Sequence, residues 1–187
     1  YVPLVLVFSI LLAKLAVPDQ KLSRFATALI ILPMTISMSA IAMIAKLLLN
    51  PSTGFINYIF DLDWGWFQDR KQALGSILLV VFWLGFPFAY LVIRAAFLHI
   101  PQTLKEAAKL DGANDFQRFI YLELPLIRPH ILTIFSLSTI QALLMAGPVM
   151  VLTEGGPVRS TTTLIFMMYT SGYQSSNYAL SASIALF

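Results

Sequence analysis

Cysteine is absent from this 187-residue chain, and charge is scarce: only 11% of positions are Asp, Glu, Lys or Arg. Without cysteine there is no disulfide framework and no thiolate metal site. Soluble domains carry roughly 25% charged residues. The deficit here, with a hydrophobic share of 58% and a mean hydropathy of +0.80, is therefore a membrane signature. Histidine is limited to His99 and His130, both at expected span ends, where a lone histidine reads as an interfacial residue. No histidine–carboxylate spacing suggests a metal site, and Asp111, Asp115 and Glu123 form no evident catalytic pair. The net charge of +3 is small. The basic residues fall in short loops, which argues for orientation in a bilayer rather than nucleic-acid binding.

What is abundant is uninterrupted apolar sequence. Residues 25–45, 72–93 and 131–153 are uncharged runs of 21, 22 and 23 residues, each matching the roughly 20 residues that cross a hydrocarbon core as a helix. Residues 1–13 and 160–187 are two further, incomplete runs, so the chain reads as part of a longer membrane protein. The first has neither a basic leader nor a small-residue cleavage site, unlike a signal peptide. The expected fold is all-α, a polytopic transmembrane bundle in one domain over residues 1–187, truncated at both ends.

Lys and Arg collect in cytoplasmic loops. Placing the opening stretch on the cytoplasmic side puts Lys14, Lys21, Arg24, Arg94, Lys105, Lys109, Arg118 and Arg128 inside, and Lys46, Arg70, Lys71 and Arg159 outside. The spans then run over residues 2–15 and 25–48, joined by a short loop with Pro18 and Lys21, and over 72–98 and 131–152. A short outer-face helix over 161–170 and a last span from Tyr178, cut at Phe187, follow. Residues 49–71 and 153–177 are extracytoplasmic, and 99–129 form a cytoplasmic loop. In the first outer segment Phe55, Tyr58, Phe60, Trp64, Trp66 and Phe67 read as an interfacial aromatic belt, with an external docking surface as the alternative. Gly155 and Gly156 before Pro157 read as a helix stop and turn.

The one long charged run lies in that cytoplasmic loop: LKEAAKLDGANDFQRFIYLELP, residues 104–125. Pro101 suits a first helical turn and Gly112 the residue just past a helix end, which predicts a helix over 102–110. Asn114 can cap a second helix, with Gln117 in the capping-box position and Phe116, Phe119 and Ile120 as an apolar face; Pro125 would end or kink it. Glu106 with Lys109 could equally be a solvated surface pair of small energetic weight.

Spacing adds more. Glu106, Ala107, Ala108, three residues, Gly112, nine residues, Leu122, one residue, Leu124 and Pro125 resemble the EAA loop of ABC importer permeases, with Leu122 in place of the usual isoleucine. Ile100, Pro101, Asp111, Ala113, Gln117 and Phe119 fit the extended motif of the carbohydrate-uptake branch related to the maltose permease. VLTEGGP (151–157), NPSTGFIN (50–57) and WLGFP (83–87) resemble further motifs of that branch.

The resemblance implies the type I importer permease fold, in a bacterial or archaeal inner membrane. It implies that the EAA segment is a coupling helix docked on a separate ATPase subunit, with Lys105, Glu106, Ala107, Ala108, Lys109, Asp111 and Gly112 at the contact. Asn50, Gly54, Gly155, Gly156 and Pro157 would face an extracytoplasmic solute-binding protein. Because the chain lacks a G-x-x-x-x-G-K-[ST] phosphate loop, it cannot itself be the ATPase. No enzymatic activity and no bound cofactor are expected of it. ATP and Mg would be held by two partner ATPases, and a second permease would complete the membrane part.

Polar, small and aromatic groups inside spans suggest a substrate path: Met34, Ser37, Met38, Trp83, Gly85, Phe88, Gln141 and Met145. The same residues could be packing devices, since small residues let helices approach and Met fills gaps. The implied cargo is a sugar, oligosaccharide or polyol. Alternatives are glycerol phosphate or another small solute for the same machine, or a non-transporting membrane scaffold subunit.

Overall fold

The computed structural model describes residues 1–16 and 21–186, with the backbone alone over 21–24. The loop expected at Pro18 and the end of the last span at Phe187 lie outside the described residues. Among the described residues every regular element is helical. The first is α1 (Val2–Leu15), which has Pro3 in its first turn and Lys14 in its last. Both placements suit the ends of a helix, where donors or acceptors lack intrahelical partners.

The apolar run over 25–45 is not one continuous helix. It divides into α2 (Lys21–Ile31), a 3-10 turn at Leu32–Thr35, and α3 (Met38–Leu48). Pro33 stands in the turn and supplies no N–H. Ser37 starts the next helix by accepting from the Ala40 amide at 3.3 Å. Counting apolar residues registered neither device.

A short α4 (Phe55–Phe60) precedes α5 (Ala73–Leu98), 26 residues with a mean hydropathy of 2.3 over its most apolar window, enough to cross a bilayer. Pro87 lies inside it without ending it, as membrane helices tolerate when neighbours re-satisfy the freed carbonyl.

The charged run forms α6 (Gln102–Leu110) and α7 (Asp115–Arg118). The second helix does not stop at Pro125. It widens into a π turn at Phe119–Glu123 and continues as α8 (Leu124–Leu143), so that Asp115–Leu143 is one helix of 29 residues. The Leu124 N–H reaches back to the Phe119 carbonyl, and this wide turn lies just where the Pro125 ring would crowd the preceding α-turn. The span expected over 131–152 is thus shifted toward the amino terminus. It ends at Leu143, and Gly147 and Pro148 open a separate helix, α9 (Gly147–Leu152).

Only 17% of the most apolar window of that long helix is buried. Leu132, Phe135 and Leu143 are exposed and form an apolar surface. Three of its hydroxyls bond within the helix: Thr133 donates to Pro129 O at 3.0 Å, Ser136 to Leu132 O at 3.0 Å and Thr139 to Phe135 O at 2.7 Å. The chain continues through α10 (Leu164–Tyr169), a second π turn at Thr170–Gln174 and α11 (Tyr178–Ala185), which Asn177 caps. The short helix expected over 161–170 and the helix start at Tyr178 are both present.

The chain groups into two compact units. Tyr1–Thr35 with Gly85–Thr139 form the first, where Val5, Tyr90, Ile93, Phe97 and Ile127 are buried and Tyr90 shares a hydrogen bond with Thr27 at 2.8 Å. Ile36–Leu84 with Ile140–Phe187 form the second, around Ile41, Ala42, Ile77, Val80, Met145, Val149 and Phe166.

Candidate functional site

The charged hairpin is built to stand clear of the fold. Helix α6 has no buried residue. Its end is closed by two backbone bonds, Ala113 N–H to Ala108 O at 3.0 Å and Gly112 N–H to Lys109 O at 3.1 Å. This is the Schellman arrangement, with Gly112 at φ +83°. Asn114 and Gln117 then form the reciprocal capping box expected of them, at 2.8 and 2.9 Å. Arg118 pairs with Asp115 on the same turn. Two caps back to back fix the angle between the helices without help from neighbouring elements.

Glu106, Ala107, Lys109, Asp111 and Gly112 are exposed, and Lys105 and Ala108 are half-buried. Beside them Leu110 is 90% and Phe116 72% exposed. Sequence reasoning left Leu110 out of the contact set and gave Phe116 only to the helix face, although a large apolar side chain amid charges on a loop was the available signal. Nothing lies within 4 Å of a Cβ built on Gly112. Its requirement within this chain is therefore the left-handed backbone, not space. His99 bonds the Ala95 carbonyl of its own helix through Nδ1 at 2.7 Å, in keeping with a span-end residue.

In the second unit the two predicted outer segments meet. Asn50, Pro51, Gly156 and Pro157 line one cavity of about 450 Å³ with Lys46, Phe67, Gln68 and Glu154. Each wall is internally braced. The Asn50 side chain accepts from the Ser52 and Thr53 amides at 3.0 and 3.1 Å. A Cβ on buried Gly54 would meet Asn50 O at 2.3 Å, so Gly54 shapes the turn from within. Asn57 is saturated: its Nδ2 donates to Pro51 O and Trp64 O at 3.1 and 3.0 Å, and its Oδ1 accepts from Trp66 Nε1 at 2.6 Å. Trp66 is consequently buried in the core of this unit rather than standing in an aromatic belt. Phe55, Tyr58, Phe60 and Trp64 are exposed, as belt residues would be.

The opposite wall is knitted by hydroxyls. Thr161 donates to Gly156 O at 2.8 Å and shares a bond with the Thr153 hydroxyl at 2.7 Å, while Thr162 donates to Gly155 O at 3.2 Å. Gly155 is buried at φ +81°, and a Cβ there would meet the Phe166 ring at 2.7 Å. Glu154, Val158 and Arg159 also hold positive φ, at +53°, +51° and +59°. Such sparsely populated backbone clusters at ligand clamps and binding loops. Sequence reasoning found the glycines and missed the threonines that hold them. A second cavity, of about 1040 Å³, adjoins the same loop and is lined by Arg159, Thr162, Tyr169, Thr170 and Gln174 among others.

The substrate-path residues fall into different settings. Met145 is in the second unit's core and Met38 packs against it, the gap-filling use of methionine. Ser37 caps α3. Met34, Trp83, Phe88 and Gln141 are exposed, and Gly85 is half-buried.

Residues 5–187 match the model of the family described as binding-protein-dependent transport system inner membrane component. The sn-glycerol-3-phosphate transport system permease protein UgpA of Escherichia coli O157:H7 is 34% identical over 165 residues, covering 86% of this chain and 56% of that protein. Its counterpart in Pectobacterium atrosepticum is 33% identical over 182 residues, 95% of this chain and 62% of that one. The chain thus spans under two thirds of the length of these relatives. Among solved structures, a bacterial ABC transporter involved in import of the acidic polysaccharide alginate superposes with a TM-score of 0.86 at 22% identity, over 96% of this chain and 65% of that one. The alginate transporter in complex with an alginate pentasaccharide-bound periplasmic protein gives 0.87 at 23% identity, over 100% and 68%. The fold is that of an ABC importer permease.

Proposed function

The chain belongs to the family of binding-protein-dependent transport system inner membrane components, and from that premise we propose that it is the membrane-spanning permease part of an ATP-driven importer. It lines the translocation path and takes its energy from separate ATPase subunits, which hold the ATP and Mg.

The observation that carries the reading is the exposed, doubly capped hairpin over 102–118. A helix with no buried residue, tipped by exposed Leu110 and Phe116, is an unpaired docking element. Glu106, Ala107, Ala108 and Gly112 form its contact with an ATPase, with Lys105, Lys109 and Asp111 flanking them. Asn50, Gly156 and Pro157, gathered on one cavity, receive the solute-binding protein, while Gly54 and Gly155 keep the two walls in shape. A second permease covers apolar surface on α5 and α8, and lipid covers the rest. The solute path is assigned to Met34, Ser37, Met38, Trp83, Gly85, Phe88, Gln141 and Met145.

The cargo is a sugar, oligosaccharide or polyol. A second reading, glycerol phosphate, draws on the named function of the 34% identical relatives. It also draws on Arg94, whose buried Nε has no acceptor among the described residues. The test is reconstitution of the whole complex with its binding protein, measuring ATP hydrolysis with and without each solute. Stimulation by a saccharide or polyol supports the first cargo, and stimulation by glycerol phosphate alone replaces it with the second. No stimulation by any solute-loaded binding protein would reject the importer in favour of a scaffold.

A further inference from the structure

At the root of the hairpin, the π turn Phe119–Glu123 carries a charge inward. Glu123 is 4% exposed, and its carboxylate pairs with the ammonium group of Lys14, in the last turn of α1. Lys14 Nζ also lies 5.6 Å from the centre of the Phe119 ring and 6.0 Å from that of Phe97, within the range of cation–π attraction. The two rings stack with centroids 6.4 Å apart. One ammonium group therefore joins the end of α1, the end of α5 and the helix that leads from the hairpin to the span, all inside one compact unit.

Docking at α6 does not require this carboxylate, and a well-packed apolar side chain would fill the same place without the desolvation penalty of a buried ion. A π turn inside a helix points to function. The geometry suits transmission of movement. A π turn adds a residue to the helical register, rotating the hairpin side by about 100° against the span side at 3.6 residues per turn, and this seam is where a helix pushed from outside would flex. The ion pair and the ring contacts close across it.

We propose that Lys14 and Glu123, with Phe97 and Phe119, form a strut that ties the docking hairpin to α1 and α5. Movement imposed at α6 is thereby passed to the spans instead of being absorbed at the π turn. Lys14 and Glu123 are positioning residues, touching neither solute nor nucleotide. The strut deepens the coupling reading above and rests on it.

Removing Lys14 alone strands the buried Glu123 carboxylate and risks misfolding. The deciding variant is therefore Lys14→Met combined with Glu123→Gln, uncharged on both sides. In the intact transporter in nanodiscs, two quantities are read: the ratio of ATP hydrolysis with to without solute-loaded binding protein, and hydrogen–deuterium exchange over residues 102–123. The double variant is expected to lower the ratio at least about fivefold, the low end of typical coupling between sites, and to speed exchange, while Lys14→Arg keeps both wild-type values. An unchanged ratio in the double variant overturns the strut whatever the exchange does. If the wild-type complex itself is not stimulated, the importer reading fails separately and exchange decides: faster exchange in the double variant supports the strut, and unchanged exchange overturns it.

Discussion

Gly112 separates two reasons for a glycine. Its φ of +83° lies in the left-handed region, and a Cβ there would meet nothing within 4 Å. In the permease alone, Gly112→Ala therefore suffers only the backbone cost, about 1–2 kcal/mol, which is roughly a five- to thirty-fold shift away from the capped hairpin geometry. Asn and Asp enter this region more readily than Ala, so conformation alone predicts that Gly112→Asn and Gly112→Asp are milder than Gly112→Ala. A close approach of the ATPase to Gly112 predicts a different order, because any side chain then occupies the contact and a carboxylate must also be desolvated. We expect the second order. Gly112→Asp should insert into the membrane normally yet lose ATPase co-purification and uptake, with Gly112→Asn nearly as impaired. The assay pairs co-purification of the ATPase with solute uptake at matched permease levels. Wild-type uptake by Gly112→Asp refutes the coupling role, and a series in which only Ala is impaired reduces Gly112 to a helix stop.

Leu110→Ser with Phe116→Ser removes two exposed apolar side chains and no core contact, so ATPase co-purification should fall while the melting temperature stays within about four degrees, as two surface changes of under about 0.5 kcal/mol each imply. Gly155→Ala combines a left-handed backbone with a Cβ 2.7 Å from the Phe166 ring; a cost of about 1–3 kcal/mol should lower thermal stability and weaken binding-protein stimulation together, and a variant with wild-type values in both would show that the loop adapts freely. Asn57→Ala leaves Trp66 Nε1 and two carbonyls without their partner, at about 1–3 kcal/mol for each group left buried, and should red-shift tryptophan fluorescence as Trp66 meets water; Asn57→Asp, which keeps only the Trp66 acceptor, should fall between.

The sequence made the hairpin legible because its determinants are local. Pro101, Gly112, Asn114 and Gln117 act within a turn or two of themselves, so a helix over 102–110 and a capping box at Asn114 could be read without knowing what surrounds them. The outer loops were legible only as motifs. Asn57 and Gly54 shape a turn whose other half is Trp64 and Trp66, and Thr161 secures Gly156 across five residues. Those bonds close across loops with no periodicity to reveal them. Trp66 was misplaced for the same reason: a tryptophan in an aromatic run beside a span suits a lipid interface equally well, and its hydrogen bond to Asn57 and its packing in the core are not visible in the run.

The span boundaries went astray in a more instructive way. Hydropathy measures how many apolar residues follow one another, whereas a helix ends where backbone groups change partners. Pro33 and Ser37 end and restart a helix inside an apolar run without altering its hydropathy. Pro125 left two outcomes open, a stop or a kink, and the helix continues through it. What lets the chain pass is the π turn before it, and a π turn has no residue signature comparable to a glycine cap. It became necessary only once the Glu123 carboxylate had to face Lys14 while Ile127 and Ile134, further along, remained buried in the first unit. That requirement couples positions 109 residues apart. The least legible element of the hairpin is thus the one fixed by the most distant contact, at the place where a force received by the loop would have to enter the spans.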